Sequence, residues 1–199
     1  MKSRNTGRQV WFAAIVSISS FAPQVANATI VEFQTVMGNF EVNLYDNSTP
    51  DTVANFLAYV NNGDYSNSIF HRSVASFVVQ GGAFTFDTAL PLGEVPTRPT
   101  VDNEPVFSNV RGTIAMAKVG GDPNSATSQW FFNLGNNAAN LDGQNGGFTA
   151  FGEVVGNGMD VVDAIAALPV YNFGGAVGEI PLRNYTSCLL YTSDAADDL

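Results

Sequence analysis

The sequence has almost none of the residues that form disulfide frameworks or zinc sites. Its 199 residues include one cysteine, Cys188, and one histidine, His71. A disulfide framework and a thiolate metal site each need several cysteines, and a zinc site made of histidines needs more than one imidazole. A serine-hydrolase triad is also poorly supported, because the chain contains no G-x-S-x-G element. We therefore expect a protein that uses no metal and no other cofactor.

Basic residues are scarce as well. The chain has 8 lysines and arginines against 18 aspartates and glutamates, which gives a formal net charge of −10 at pH 7. A domain this acidic repels phosphate backbones, so the charge argues against a nucleic-acid partner. The chain also lacks internal repeats, long linkers and low-complexity blocks. These absences predict a single domain.

Residues 1–28 have the three-part layout of a secretory signal peptide. Three basic residues (Lys2, Arg4 and Arg8) precede an apolar run over residues 10–21, and Ala26-Asn27-Ala28 supplies an A-x-A cleavage site. The apolar run is too short to span a bilayer comfortably. An ordinary amphipathic N-terminal helix is the alternative. The layout predicts cleavage after Ala28, export and no membrane association after cleavage. We expect a bacterial periplasm as the destination because of the pocket residues described below, and secretion from another cell type is the alternative.

Residues 188–199 do not resemble the end of a folded domain. Their sequence, CLLYTSDAADDL, resembles the translation of a sequencing-library adaptor read through a truncated gene. The alternative is a frayed acidic terminus, since chain ends tolerate almost any polar sequence. We expect a non-native tail that begins at Cys188, and therefore one native domain over residues 29–187.

Two local patterns predict the first elements of this domain. Residues 29–36 and 39–45 alternate apolar and polar side chains around Met37-Gly38, which is typical of two antiparallel strands joined by a tight turn. Thr49-Pro50-Asp51 then supplies a helix cap, a proline at the first helical position and an early acid. Apolar residues at helical spacing follow, and Asn61-Asn62-Gly63 ends them. The patterns predict a hairpin followed by a helix.

Short strands dominate the rest of the chain. Runs rich in β-branched and aromatic residues, separated by turn formers, cover residues 68–74, 77–80, 110–118, 130–134 and 151–155. A second helix opens at Gly158-Met159-Asp160, and its predicted buried side holds Val161, Val162, Ile165 and Ala166. Many short strands with two isolated helices favour an all-β barrel or sandwich over an α/β sheet.

Five segments give the chain a family resemblance. They read FHRSVASFVVQGG at 70–82, RGTIAMAK at 111–118, SATSQWFF at 125–132, LDG at 141–143 and FTAFG at 148–152. In order and spacing they resemble the cyclophilin family of peptidyl-prolyl cis-trans isomerases, from about Ile30 to Leu168. The resemblance implies a closed eight-stranded antiparallel β-barrel capped by two α-helices. It also implies an enzyme that accelerates rotation of Xaa-Pro bonds during the folding of exported proteins, with proline-containing polypeptides as partners.

The same resemblance assigns roles to individual residues. Arg72 would be the catalytic residue, which holds the substrate carbonyl and stabilises the proline nitrogen. His71 would support Arg72 as a hydrogen-bonded neighbour, since the isomerisation transfers no proton. The other residues would bind substrate: the proline-pocket residues Phe77, Val78, Phe131, Leu141 and Phe148, the hydrogen-bonding Gln80 and Gln129, and Ala117 and Lys118 through their backbone.

The sequence departs from the family pattern beside the pocket. Asn140 stands where many members carry a tryptophan that favours tight cyclosporin binding, so we expect weak cyclosporin binding. Val78 replaces a commoner methionine and Phe148 a common histidine, as in bacterial periplasmic members. Trp130 stands where phenylalanine is usual, on a side that we expect to be buried. A non-catalytic chaperone module that binds proline peptides is the alternative function on the same fold.

Overall fold

The computed structural model describes residues 28–87 and 90–185. The predicted signal peptide up to residue 27 and the predicted non-native tail from Cys188 lie outside the described residues. Within the described ranges, no helix is long and apolar enough to cross a membrane.

The described chain is mainly β, built on one curled antiparallel sheet of seven strands. Along the sheet the strand order is β1-β2-β9-β7-β8-β4-β3. The bounds of these strands are β1 Ile30–Thr35, β2 Gly38–Leu44, β3 Arg72–Val74, β4 Val78–Gly81, β7 Thr113–Met116, β8 Trp130–Asn133 and β9 Ala150–Val154. Two small antiparallel pairs complete the strands: β5 (Phe84–Thr85) with β6 (Gly93–Glu94), and β10 (Val170–Tyr171) with β11 (Ile180–Pro181).

The sheet of the described residues is open, whereas the sequence predicted a closed eight-stranded barrel. β1 and β3 form its two edges, and no ladder joins them within the described ranges. The free side of β3 is covered only at one point, where the Ser73 N–H donates to the Glu179 carbonyl at 2.7 Å. A single bridge cannot replace a full strand, so the sheet curls without closing.

The hairpin and the first helix were predicted correctly. Strands β1 and β2 pair in register from Ile30 opposite Asn43 to Thr35 opposite Gly38. The Thr35 hydroxyl donates to the Gly38 carbonyl at 2.6 Å, and Gly38 adopts a φ of 127° that suits a residue without Cβ. Helix α1 covers Pro50–Asn62 and ends at the left-handed Gly63.

The N-terminal cap of α1 differs from the prediction. Thr49 occupies the cap position, but its side chain makes no capping hydrogen bond. The carboxylate of Glu104, more than 50 residues away in the chain, accepts instead from the Thr52 N–H at 2.8 Å and from the Asp51 N–H at 3.4 Å. A carboxylate suits this position because the first N–H groups of a helix are unpaired and carry a partial positive charge.

The sheet has one face in the main core and one face toward the candidate site. α1 and the later helix α3 (Gly158–Ala166) pack on the core face, where Phe56, Trp130, Phe132 and Val162 are buried. The burial of Trp130 was predicted. A one-turn helix, α2 (Ala138–Leu141), was not predicted, because four residues are too few to show helical periodicity.

Candidate active site

The site face of the sheet follows from strand alternation. Successive side chains of a strand point to opposite faces, so Val79 enters the main core while Val78 and Gln80 face the other way. β8 repeats the pattern, with Phe132 in the core and Phe131 on the site face. The registers place Arg72 opposite Gln80, Gln80 opposite Phe131, and Phe131 opposite Ala115. Four strands thus carry a row that begins with a guanidinium and continues into an apolar patch.

The apolar patch brings together the predicted proline-pocket residues. Val78, Phe131 and Leu141 are buried in one cluster, and Phe77 and Phe148 pack against it. The rings of Phe131 and Phe148 meet edge to face, with centroids 5.9 Å apart and an interplanar angle of 69°. A cavity of about 240 Å³ adjoins this cluster and is lined by Phe148 and by Pro105, Val106, Phe107, Ser108 and Asp142.

A buried network of hydrogen-bonded asparagine side chains supports the pocket, and it was not predicted from the sequence. The Asn137 amide donates to the Phe77 carbonyl at 2.8 Å and to the Asn133 side chain at 2.7 Å. Asn133 in turn donates to Asn109 and Thr113. Asn109 and Asn133 are fully buried, and buried polar groups of this kind are retained when they are paired. The only sequence signal was asparagine within or beside apolar runs, which also marks ordinary turns.

Arg72 lies at the first position of the edge strand β3 with its side chain 36% exposed. Its Nε donates to Oε2 of Glu179 at 2.9 Å. This is the only hydrogen bond of the guanidinium within residues 28–87 and 90–185. Glu179 lies 107 positions along the chain and was not among the predicted site residues. No local pattern marks it, because only the fold brings its segment beside β3.

The two predicted glutamines bond to each other. The Gln80 amide nitrogen donates to the Gln129 amide oxygen at 3.0 Å, and both side chains are half-buried. Gln80 also lies opposite Arg72 in the strand register. The two carboxamides therefore form one polar unit beside the guanidinium.

Lys118 uses its side chain to hold the loop next to the pocket. Its Nζ donates to the carbonyls of Asn145 at 2.9 Å and Gly147 at 2.6 Å and lies 4.9 Å from the Phe148 ring centroid. Burial lowers the pKa of this amine from its usual value, against a smaller effect of Asp122. Ala117, the other residue predicted to contact substrate through its backbone, donates its N–H to the Gln129 carbonyl.

His71 occupies a different environment from the one predicted. Its side chain is buried, its ring meets Phe84 edge to face, and Nδ1 has no hydrogen-bond partner in the described ranges. Burial lowers its pKa to about 4, and the charge of Arg72 contributes in the same direction. A hydrogen bond between the two side chains is not found within the described ranges. His71 contacts its neighbours by packing.

Asn140 lies on α2 and is exposed, one position before the buried Leu141.

Within the residues that the structure describes, no group of three or more His, Cys, Asp or Glu side chains is arranged to hold a metal ion.

Comparisons with known proteins found a matching family model and related proteins. The model of the family "Cyclophilin type peptidyl-prolyl cis-trans isomerase/CLD" matches residues 30–186. A peptidyl-prolyl cis-trans isomerase of Acinetobacter baylyi is 41% identical over 147 residues, which cover 73% of this chain and 76% of that protein. Peptidyl-prolyl cis-trans isomerase A of Dickeya dadantii is 40% identical over 163 residues, which cover 80% of this chain and 84% of that protein.

A solved structure agrees with these relatives. The crystal structure of a cyclophilin type peptidyl-prolyl cis-trans isomerase of Cryptosporidium parvum superposes with a TM-score of 0.59 at 26% identity. The match covers 78% of this chain and 94% of that one. With the family model spanning most of the chain and relatives at about 40% identity, the chain belongs to the cyclophilin-type peptidyl-prolyl cis-trans isomerase family.

Proposed function

We propose that Arg72 and the adjoining apolar pocket catalyse rotation about the peptide bond before proline in exported polypeptides. The observation that carries the proposal is the row across β3, β4 and β8, where a half-exposed guanidinium and a carboxamide lead into the buried cluster around Phe131. In this proposal, the proline ring of the substrate enters this cluster and the carbonyl before it faces the guanidinium.

The reaction needs neither a nucleophile nor a proton transfer. The barrier to rotation is ~18–20 kcal/mol because the nitrogen lone pair is delocalised into the carbonyl. A catalyst must bind the twisted amide more tightly than either planar form, and each ~1.4 kcal/mol of such preference gives a tenfold rate increase. The Arg72 guanidinium stays charged and carries fixed donors, so it suits both the substrate carbonyl and the proline nitrogen as its lone pair localises.

The pocket residues select proline by excluding water around its ring. Phe77, Val78, Phe131, Leu141 and Phe148 supply the walls, and this apolar lining favours burial of a saturated ring. Gln80 and Gln129 would bond substrate or bound water next to Arg72. Because the Ala117 N–H is donated to Gln129, we assign the substrate contact at residues 117–118 to their carbonyls, in a strand-like docking mode. His71 would support this site by packing.

Arg72→Ala tests the catalytic role. We expect kcat/KM in an isomerisation assay on a proline peptide to fall at least ~100-fold, as when one preorganised donor is removed from an active site. Arg111→Ala is the matched control, because it removes an arginine whose ion pair with Asp163 is similarly exposed. We expect the control to keep full activity. A wild-type rate no faster than the uncatalysed reaction would support the alternative, a chaperone module that binds proline peptides without turnover.

The proposed partners are flexible polypeptides that contain proline. The Cryptosporidium cyclophilin has also been crystallised in the presence of the dipeptide Ala-Pro. The charge of −10 argues against nucleic acid as a partner. Export is proposed from the signal-peptide layout and the periplasm from the bacterial-like pocket residues Val78 and Phe148. N-terminal sequencing of the protein from a periplasmic fraction should begin at Thr29. Recovery of the uncleaved chain from the cytoplasm would contradict it.

Weak cyclosporin binding is a further part of the proposal. Asn140 is an exposed polar residue next to the pocket wall Leu141, so it cannot supply apolar contact to the inhibitor. We expect Asn140→Trp to tighten inhibition at least tenfold and Asn140→Gln to leave it unchanged. Nanomolar inhibition of the unaltered protein would contradict the expectation.

A closed eight-stranded barrel is the fold that we propose for this domain. β1 and β3 are the edges of the described sheet, and one further strand on the free side of β1 would complete it. Hydrogen exchange of the β1 amides that do not bond β2 tests this proposal. Strong protection supports a covering strand, whereas exchange as fast as in exposed loops contradicts it.

A further inference from the structure

We propose that Glu179 is a positioning residue, which holds the Arg72 guanidinium in the orientation that the isomerisation needs. The inference rests on the proposed catalytic role of Arg72. It concerns a residue that no motif of the sequence singles out, in a segment more than 100 positions from the arginine.

The main chain fixes Glu179 independently of its side chain. Its carbonyl accepts from the Ser73 N–H at 2.7 Å, and Glu179 pairs with Arg72 in a parallel bridge. The next residues, Ile180 and Pro181, are buried and pair with β10. The carboxylate is thus attached to backbone that is anchored on both sides, next to the strand that carries the arginine.

The contact itself leaves the end of the guanidinium available. Nε of Arg72 donates to Glu179 Oε2 at 2.9 Å, while the two terminal nitrogens make no hydrogen bond within residues 28–87 and 90–185. The other two arginine ion pairs of the described chain differ. Arg98 and Arg111 each direct at least one terminal nitrogen at their aspartate. Of these three described arginines, only Arg72 is held by Nε alone, which is the arrangement that keeps two donors for a substrate.

The pair can matter for catalysis although it contributes little to stability. The side chains of Arg72 and Glu179 are 36% and 48% exposed, and exposed ion pairs of this kind stabilise a fold only slightly. A free arginine samples many rotamers, so a fixed partner at Nε reduces the entropy lost when the guanidinium engages the twisted amide. Loss of Glu179 should therefore slow turnover without unfolding the protein.

Glu179→Ala and Glu179→Gln test the inference, with Glu41→Gln as the matched control. Glu41 is an exposed glutamate on β2 whose side chain makes no ion pair in the described chain. We expect Glu179→Ala to lower kcat by about three- to tenfold with little change in KM and in Tm. The glutamine variant keeps an oxygen that accepts from Nε, so it should retain more activity than the alanine variant. The control should match the wild type.

Several results would overturn the inference. Unchanged kcat in Glu179→Ala would show that the pair has no role, and a higher kcat would show that the carboxylate competes with the substrate for Arg72. An equal loss of kcat in Glu41→Gln would show that the effect comes from the change in net charge and not from the contact with Arg72. A decrease in the Tm of Glu179→Ala large enough to explain its lost activity would show that Glu179 only stabilises the fold. Arg72→Ala with wild-type activity would instead refute the proposed function itself.

Discussion

At the scale of single residues, Arg72 and His71 are neighbours in the chain with opposite surroundings. Arg72 is partly exposed on the edge strand and pairs with Glu179, whereas His71 is buried against Phe84. The imidazole has no hydrogen bond at Nδ1 to compensate a charge. Burial therefore favours the neutral form of His71 over the charged form in the folded protein.

We expect the stability of the protein to fall between pH 6.5 and pH 4 because of His71. Its pKa is lowered from 6.5 to about 4 in the folded state, so in this window the unfolded chain binds a proton that the folded chain does not. The stability is complete above pH 6.5 and is lost as the pH falls through 4, by up to about 3 kcal/mol. Urea unfolding at several pH values measures the slope.

His71 is the only histidine, so the assignment of this slope is direct. The carboxyl groups of Asp46, Asp64 and Asp142 have pKa values lowered from 3.8 and therefore act below the window, whereas Glu32, with a pKa lowered from 4.5, acts only at its acid end. His71→Phe should flatten the curve between pH 4.5 and 6.5. A wild-type curve that is already flat there would show that the folded protein accepts the proton without cost.

At the scale of elements, the contact between β4 and β8 depends on a glycine. Gly81 lies opposite Trp130 in the register, and the indole fills the space that a Cβ of residue 81 would occupy. A Cβ placed there would lie 2.7 Å from Cη2 of Trp130. Interiors are close-packed, so neither strand can move away freely. The large indole and the small glycine are thus a matched pair.

We expect Gly81→Ala to destabilise the protein by about 1–3 kcal/mol through overpacking. Trp130→Phe should recover part of this loss in the double variant, because the smaller ring leaves room for the methyl group. Gly120→Ala is the matched control, since a Cβ at residue 120 would meet nothing within 4 Å. Chemical denaturation of the wild type, the two single variants at residues 81 and 130 and the double variant measures the coupling, and strictly additive losses would contradict the pairing.

At the scale of the whole molecule, the charge of −10 works against compactness. The described chain has three ion pairs, Arg72–Glu179, Arg98–Asp64 and Arg111–Asp163. With 18 acidic and 8 basic residues in the chain, at least ten carboxylates have no basic residue to balance them. Repulsion among these carboxylates destabilises the folded state, and salt screens it.

Raising NaCl from about 0.05 M to about 0.5 M should therefore raise Tm at pH 7. We expect an increase of about 2–4 °C, which corresponds to roughly 1 kcal/mol for a domain of this size. Differential scanning calorimetry measures it. Near the sequence pI of about 4.2, the same salt step should leave Tm unchanged. A decrease of Tm at pH 7 would show that attractive pairs outweigh the repulsion.

Much of the fold was predictable where the signal is local. The alternation around Met37-Gly38 identified the hairpin, and Pro50 with Gly63 identified the limits of α1. Strand ends were less accurate, since the predicted strand over 68–74 is regular only from Arg72. Backbone pairing with neighbouring strands sets those strand ends, and the composition of the side chains does not predict where that pairing stops. The closed barrel was expected from resemblance, and the described sheet is open.

The candidate site was likewise predictable in part, and the sheet register decided the rest. The pocket residues Phe77, Val78, Phe131, Leu141 and Phe148 and the catalytic candidate Arg72 were expected from the family resemblance, and the structure places them on one face of the sheet. Phe131 and Val79 could not be assigned to faces from composition alone, because both are apolar. The sheet register decided which of them enters the core and which lines the pocket.

The sequence by itself determined the family, the local elements and the residue types at the pocket, because these depend on neighbours in the chain. Only the tertiary structure decided which carboxylates cap the helix and hold the arginine. Glu104 and Glu179 reach their partners across 52 and 107 positions. Such contacts leave no periodic signal, since they exist only after the chain has folded and brought distant backbone together.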